Sequence, residues 1–275
     1  MKKQSQLLII IFFILFLLNY TTTFSFNHKS NYFDCIQNAV GRTSINDASI
    51  IQNPARLINF KNISLSFDIS PSKFEMPELT PTLLFVGANI NEDFSFAASL
   101  FGIGNNLYKE YSAAAHSAYR ITNTFSIGAS FEYSTIHIEK FKNSNLFTFD
   151  LGVLLDISEN ITAGACLKNV ACSYYDGGDK SVNQVALVGF GFTPYDNFNI
   201  DVDGVIRTYT NSGLSIAGSY NFNDIVYIRI GAANAPKSLS TGLSINPFNY
   251  LKMHIILNYF ESLGFCQQYG LSVVL

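Results

Sequence analysis

The fold is decided by residues 62–70, which read NISLSFDIS. Apolar and polar side chains alternate along this stretch without exception. The apolar set is Ile63, Leu65, Phe67 and Ile69, and the polar set is Asn62, Ser64, Ser66, Asp68 and Ser70. Because successive side chains of a strand point to opposite faces, the stretch predicts a β-strand with one apolar and one polar face.

The same alternation recurs from residue 60 to the end of the chain, interrupted by clusters of Asn, Asp, Ser and Gly that are typical of turns. We predict about fourteen strands, with an error of about two. The predicted strands are 60–70, 79–90, 93–103, 107–121, 124–139, 145–157, 160–173, 181–193, 197–208, 212–222, 224–232, 239–246, 249–260 and 263–275. Most are longer than the about 5–6 residues of a soluble strand and suit the about 9–11 residues of a tilted membrane-crossing strand.

The composition agrees with a wall that faces lipid. The chain is 48% hydrophobic and only 13% charged, with 25 Phe and 15 Tyr, whereas soluble domains carry about 25% charged residues. A soluble sandwich or jelly roll is the alternative, but it would need a charged exterior for which too few charges are present. We therefore predict an all-β fold, a transmembrane antiparallel β-barrel of about fourteen strands over residues 60–275, with apolar side chains outside and polar ones inside.

Residues 1–25 have the parts of a secretory signal peptide. Lys2 and Lys3 precede an apolar run from Leu7 to Leu18, and small polar residues follow it. A membrane-anchoring helix is the alternative, but the run is shorter than the about 20 apolar residues that a spanning helix needs. We predict cleavage near Thr23 or Ser25 and localisation of the mature chain in the bacterial outer membrane.

Residues 26–59 differ from the rest of the chain because they show no sustained alternation. Residues 47–51 predict a capped helical turn, which Asn53, Pro54 and Ala55 then break. We predict that this segment either fills the barrel lumen as a plug or lies in the periplasm as a leader.

Charged residues on the polar faces of the predicted strands are candidates for a site in the lumen. We hypothesise that they form one ion-paired network that fills the lumen, contacts the plug or selects solutes. The alternative is the solvated interior that any such barrel has. The candidates are Arg120, Glu132, Asp150, Asp156, Asp201, Asp203, Arg207 and Arg229.

Other chemistry finds little support in the sequence. The net charge of −3 argues against a nucleic-acid partner. The four His and four Cys have no metal-ligand spacing, so neither a metal nor a cofactor is predicted. His116 and Ser117 are adjacent and would point to opposite faces of a strand, so an enzyme is not predicted either.

The cysteines are interpreted as small buried residues. Cys166 and Cys172 fall on one predicted strand, about 20 Å apart at 3.3 Å per residue, and could not pair. A bond from Cys266 to Cys35 or another cysteine is left open.

Several short runs, taken in order, resemble the PorV/PorQ family within the FadL-like outer-membrane proteins. The runs are Asn38-Ala39-Val40-Gly41, Asp47-Ala48, Asn53-Pro54-Ala55-Arg56-Leu57, Phe149 to Leu154, Leu167 to Val170, Tyr227 to Gly231, Gly242 to Ser244 and Leu263-Gly264. The resemblance implies a fourteen-stranded barrel whose Asn-Pro-Ala segment plugs the lumen. It also implies transport of hydrophobic small molecules, as in FadL-like members, or service in type IX protein secretion, as in PorV-like members. The chain departs from PorV-like members in lacking long insertions between strands.

The sequence thus predicts passage or binding of a small solute, which could be hydrophobic, across the outer membrane. The alternative is a non-transporting accessory barrel of a type IX-like secretion or surface-attachment machine, and a third reading is purely structural. The expected partners are outer-membrane lipid and either a hydrophobic small molecule or proteins of the secretion machinery.

Overall fold

The computed structural model describes residues 36, 39–45, 47–60, 63–71, 73–141, 143–171, 182–208 and 210–275. The predicted signal peptide, together with Cys35 and Cys172, lies outside the described residues. Within the described ranges, no helix has the length and hydrophobicity needed to cross a membrane.

Fourteen antiparallel strands form one closed barrel, in which each strand pairs with its neighbours in sequence and the last pairs with the first. The predicted all-β transmembrane barrel is therefore confirmed. The strands are β1 (Ser64–Ile69), β2 (Thr82–Asn91), β3 (Phe94–Gly104), β4 (Tyr108–Thr122), β5 (Phe125–Ile138), β6 (Ser144–Ser158), β7 (Ile161–Lys168), β8 (Val185–Tyr195), β9 (Phe198–Arg207), β10 (Gly213–Phe222), β11 (Val226–Asn234), β12 (Lys237–Phe248), β13 (Leu251–Phe260) and β14 (Gly264–Val274).

Side chains alternate between the outer and inner surfaces of the wall, as the stretch around β1 predicts. Leu65 and Phe67 are 43% and 44% exposed on the outer surface, whereas Ser66 and Asp68 between and beside them are fully buried on the inner one. In a spanning barrel the exposed apolar surface is covered by lipid, which explains why the chain can be so poor in charge.

The predicted strand boundaries hold to within a few residues except at the end of β7. This strand was expected to reach residue 173 but ends at Lys168, because Asn169 adopts a left-handed backbone with φ 54°. The Asn169 N–H donates to Asp150 Oδ1 at 2.8 Å instead of continuing the ladder. The expectation that Cys166 and Cys172 cannot pair stays a prediction, because Cys172 lies outside the described residues. Cys166 and Cys266 are both buried free thiols.

The two ends of the barrel differ. Short turns such as 92–93, 123–124 and 159–160 join the strands at one end, where β1 also begins and β14 ends. Longer connections, including 70–81 and 169–184, lie at the other end. We name these the short-turn end and the loop end. In outer-membrane barrels the short turns face the periplasm.

The described part of the segment before β1 lies inside the barrel rather than outside it. It contains two 3₁₀ helices, Asp47–Gln52 and Pro54–Asn59. Ala39, Ala55 and Leu57 are fully buried, and the second helix contacts β3, β4, β5 and β6. We call residues 36–60 the plug.

Replacement of Ile230 by arginine tests the orientation of the wall. Ile230 lies in the middle of β11 with 66% of its side chain exposed, so in a bilayer it faces the hydrocarbon. Arg on the lipid face near the bilayer midplane costs about 2–4 kcal/mol, and we expect the free energy of unfolding in liposomes, measured by urea titration, to fall by that amount.

The control is Leu263→Arg. Leu263 is also about half exposed but lies in the turn between β13 and β14 at the loop end. Equal losses in the two variants would contradict the proposed lipid contact of β11.

Candidate functional site: the plug and its seat

Asn53 ties the plug together and to the wall. Its side-chain Oδ1 accepts from the Ala55 N–H at 3.1 Å and so caps the second 3₁₀ helix, with Pro54 at the first helical position. Its Nδ2 donates to the carbonyl oxygen of Ala39 at 2.7 Å and to that of Val153 in β6 at 3.2 Å. One fully buried amide therefore joins the plug's two halves and fixes both to the barrel.

Glycines on the inner surface make room for the plug. A Cβ atom at Gly152 would collide with Asn53 Oδ1, and one at its register partner Gly128 would collide with the backbone of Pro54 and Ala55. Further inner glycines meet the plug in the same way. They are Gly164 against Ala39, Gly191 against Val40 and Arg42, Gly231 against Ile36, and Gly242 against Ile45. The backbone of the plug thus approaches the wall where the wall has no side chain.

Two carboxylates of β9 hold the plug by its backbone. Asp203 Oδ1 accepts from the Ala39 N–H at 2.7 Å. Asp201 Oδ2 accepts from the Thr43 N–H at 2.7 Å and from the Thr43 hydroxyl at 2.8 Å. These three hydrogen bonds fix the plug to β9 at Ala39 and Thr43.

Arg42 extends this seat towards the short-turn end. Its guanidinium donates to the hydroxyl oxygens of Thr162 in β7 and Thr193 in β8. Thr162 in turn donates to Asp156 Oδ1 at 2.7 Å. Sequence reasoning did not identify Arg42, because it lies in a segment without strand periodicity, where the sequence does not show which face a side chain occupies.

A second polar group lies on the opposite side of the plug. His116 makes hydrogen bonds with the hydroxyls of Ser99 at 2.9 Å and Ser130 at 2.7 Å, and Lys168 Nζ donates to the carbonyl oxygen of Ile51 in the plug at 2.7 Å. Glu132 and Asp150 line the same small cavity. Lys168 was missed in the sequence because its strand was predicted to continue past it. No pattern in the sequence indicated that its side chain contacts the plug.

The structure places the eight candidate residues in several parts of the lumen, and a single ion-paired network among them stays a prediction. Asp201 and Asp203 hold the plug, and Glu132 and Asp150 lie beside His116. The others are dispersed. Asp156 and Arg120 lie near the short-turn end, Arg207 donates to carbonyl oxygens of Asn211 and Ala235 near the loop end, and Arg229 donates to Ser240. All eight side chains point inward by strand parity. Parity does not show, however, at what height or on which side of the barrel a residue lies.

A buried hydrogen-bonded contact that sequence reasoning missed joins β13 to β1. His254 Nε2 and Gln268 Nε2 each lie 2.7 Å from Asp68 Oδ1. His254 reaches Asp68 across Gly270, where a side chain would block it. Among the described residues, no group of three His, Cys, Asp or Glu side chains could hold a metal ion.

The inner surface also carries two apolar patches, which polar-in alternation does not predict. The first lies on β2 and β3 and packs against Ile50 and Leu57 of the plug; the second lies on β7, β8 and β9 and packs against Ala39. The wall residues of the patches are Leu83, Phe85, Ala97, Phe101, Ile103, Cys166, Val185, Leu187 and Val205. The wall is therefore apolar on the inside where the plug covers it.

A groove of about 810 Å³ lies on β10–β14 and is lined mainly by outward-facing apolar side chains. Ile216, Ile230 and Leu239 are each more than half exposed along it. Gly218 and Ala232 are small residues in its lining. Its volume falls within the range of pockets for small molecules.

Solved structures with a similar fold include a transporter, a channel and a FadL homologue. The toluene transporter TodX of Pseudomonas putida matches with a TM-score of 0.60 and 12% identity, over 88% of this chain and 98% of TodX. A TodX mutant described as a monoaromatic hydrocarbon channel gives 0.66 and 12%, over 90% and 98%. A Pseudomonas aeruginosa FadL homologue gives 0.59 and 9%, over 92% and 99%. This chain shares their fold. No family model and no curated protein matches its sequence.

Proposed function

We propose that this chain is a plugged, non-enzymatic channel of the bacterial outer membrane through which a small hydrophobic solute passes. The observation that carries the proposal is the pair of apolar patches on the inner wall behind the plug. A general porin lumen is polar and filled with water. Displacement of this plug instead uncovers Leu187 and Val205 on one side and Phe85 and Phe101 on the other.

The way the lumen is filled supports passage over a purely structural role. A barrel that only spans the membrane can fill its interior with side chains of its own wall. Here a separate segment, held by Asn53, Asp201 and Asp203, fills it, and wall glycines leave space for that segment. Removal of the segment leaves a path, because the glycines behind it carry no side chain.

The outer groove and the structural neighbours support a hydrophobic cargo. The groove on β10–β14 offers about 810 Å³ lined by apolar side chains at the lipid-facing surface, where such a solute would partition. The neighbours with the same fold include proteins described as a toluene transporter and a FadL homologue. The strand ladder is continuous, so passage requires movement of the plug rather than a gap already present in the wall.

The alternative proposal is an accessory barrel of a type IX-like secretion machine, as the PorV/PorQ resemblance implies. The closed ladder agrees with it. Of the seven connections at the loop end, however, β3–β4, β11–β12 and β13–β14 are short, and only 70–81 and 169–184 are long enough to offer a surface to a protein partner. A solute channel therefore accounts for more of the structure.

Uptake of radiolabelled toluene into proteoliposomes tests the proposal. We expect the double variant Leu187→Asn with Val205→Thr to take up toluene several-fold more slowly, because polar groups replace the apolar inner wall. The control is Val202→Thr on the outer face of the same strand, where the side chain is 45% exposed. An unchanged rate in the double variant, or equal uptake of toluene and a labelled sugar by the wild type, would contradict a hydrophobic cargo.

A further inference from the structure

A second, smaller pocket opens at the short-turn end, between the plug and β13. Its volume is about 200 Å³. On the plug side it is lined by residues 40–42, 44, 49–50, 56 and 59–60, and Lys252 lines it from β13. The pocket therefore has one wall that belongs to the plug and one that belongs to the barrel.

The charged residues that line this pocket are all basic. They are Arg42, Arg56 and Lys252, and the described lining contains no acidic residue. Hydroxyls of Ser44 and Ser49 and the amide of Asn59 complete the polar part of the surface. Three cations around one concave surface with low-dielectric walls concentrate positive potential, which favours an anionic ligand.

Arg56 is held in a fixed position in the wall of the pocket and is not a mobile surface side chain. It is only 6% exposed. Its guanidinium donates to the Ser49 carbonyl oxygen at 3.1 Å and to the hydroxyls of Ser44 at 2.8 Å and Ser49 at 3.0 Å. Gly41, with φ 87°, is required beneath it, since a side chain there would collide with the guanidinium. The guanidinium of Arg56 is thus fixed in position. Binding of a ligand would therefore cost less side-chain conformational entropy.

We propose that this pocket binds a small oxyanion of phosphate size and that the bound anion clamps the plug to the wall. Arg56 of the plug and Lys252 of β13 both bind the anion. One ligand therefore bridges the plug, which must move for passage, and the barrel wall, which does not. The pocket lies inside the mouth of the barrel, away from the lipid-facing surface, and its ligand is therefore a soluble anion rather than a lipid headgroup.

The proposed site does not depend on what the channel carries. A hydrophobic solute would meet the apolar patches and the outer groove, neither of which shares Arg56 or Lys252. If toluene uptake is absent but the anion binds, only the proposed channel function fails. If toluene is taken up but no anion binds, only the proposed anion site fails.

Thermal unfolding of the detergent-folded full chain tests the clamp. Melting temperatures are measured against millimolar sodium phosphate and sodium sulfate, with sodium chloride at the same ionic strength as reference. We expect a saturable rise with phosphate and sulfate in the wild type. Lys252→Met should weaken the apparent affinity by about tenfold or more, because it removes one charged hydrogen-bond donor while keeping an apolar stem of similar length.

The control is Lys237→Met, which removes a lysine that is paired with Glu261 at the loop end and is 70% exposed. General stabilisation by excluded anions acts on every variant alike, so only a response that Lys252→Met loses and Lys237→Met keeps supports the site. The proposal is overturned if phosphate gives no rise beyond chloride, or if Lys252→Met responds as the wild type does.

Discussion

Replacement of Gly152 by valine is expected to expel the plug and leave a folded barrel that conducts ions. A Cβ atom at this position would collide with Asn53 Oδ1 and would lie 3.0 Å from Pro54 Cδ. Overpacking of a tight contact costs about 1–3 kcal/mol, and here the strained partner is a capping side chain that cannot move without losing its own hydrogen bonds. At 1.4 kcal/mol for each factor of ten, a loss of about 3 kcal/mol shifts the balance towards the unseated plug by about 100-fold.

Two measurements follow plug release in this variant. Single-channel recordings in planar bilayers should show stable open currents that the wild type lacks. Cys166, which packs against Ala39 of the plug, should react with a water-soluble maleimide, and mass spectrometry of the labelled peptide identifies the thiol among the other cysteines.

Gly204→Val is the matched control. Gly204 lies on β9 with outward parity, and a Cβ atom there meets no other atom closer than 3.7 Å. This variant should stay closed and unlabelled. If Gly152→Val gives no channel currents and its Cys166 does not react, the contact between Asn53 and β6 does not hold the plug.

The double variant Asp201→Ala with Asp203→Ala is expected to release the plug by removing its anchors instead of crowding it. Three hydrogen bonds from Ala39 and Thr43 end on these carboxylates, and their loss leaves two buried backbone N–H groups without acceptors. A buried donor left without an acceptor costs about 1–3 kcal/mol, so the seated state should lose at least about 2 kcal/mol. We expect maleimide labelling of Cys166 to accelerate by about 30-fold.

Barrel stability and plug seating can be separated in this experiment. Heat-modifiable gel migration reports the barrel and should change little, because β9 keeps its full ladder to β8 and β10. Asp196→Ala, in the exposed turn between β8 and β9, is the control. If both variants label at the wild-type rate, the carboxylates of β9 do not anchor the plug.

The wall was predictable from sequence because one physical signal repeats along it. Period-two alternation, as in residues 62–70, follows directly from the geometry of a strand between lipid and lumen. The signal is weak in residues 79–90 and 239–246. In β2 the inward side chains Leu83 and Phe85 are apolar because they pack against Ile50 and Leu57 of the plug, so the two faces of this strand do not contrast.

The candidate site was less predictable because contacts between distant segments carry no local pattern. Strand parity identified Asp201 and Asp203 as inward, but their partners Ala39 and Thr43 lie in a segment without periodicity. The inner glycines carried no signal of their own, since a glycine in a strand has several explanations. Only the position of the plug shows why Gly128 and Gly152 have no side chain.

The position of the plug in the chain constrains the order in which this protein can assemble. The plug precedes every strand, yet Ala39 is held by Asp203, 164 residues further on. Its seat therefore does not exist until β5–β9 have paired. Such contacts between distant residues make folding slow. The first segment of the chain thus reaches its bonded position only after strands that follow it by more than a hundred residues have formed.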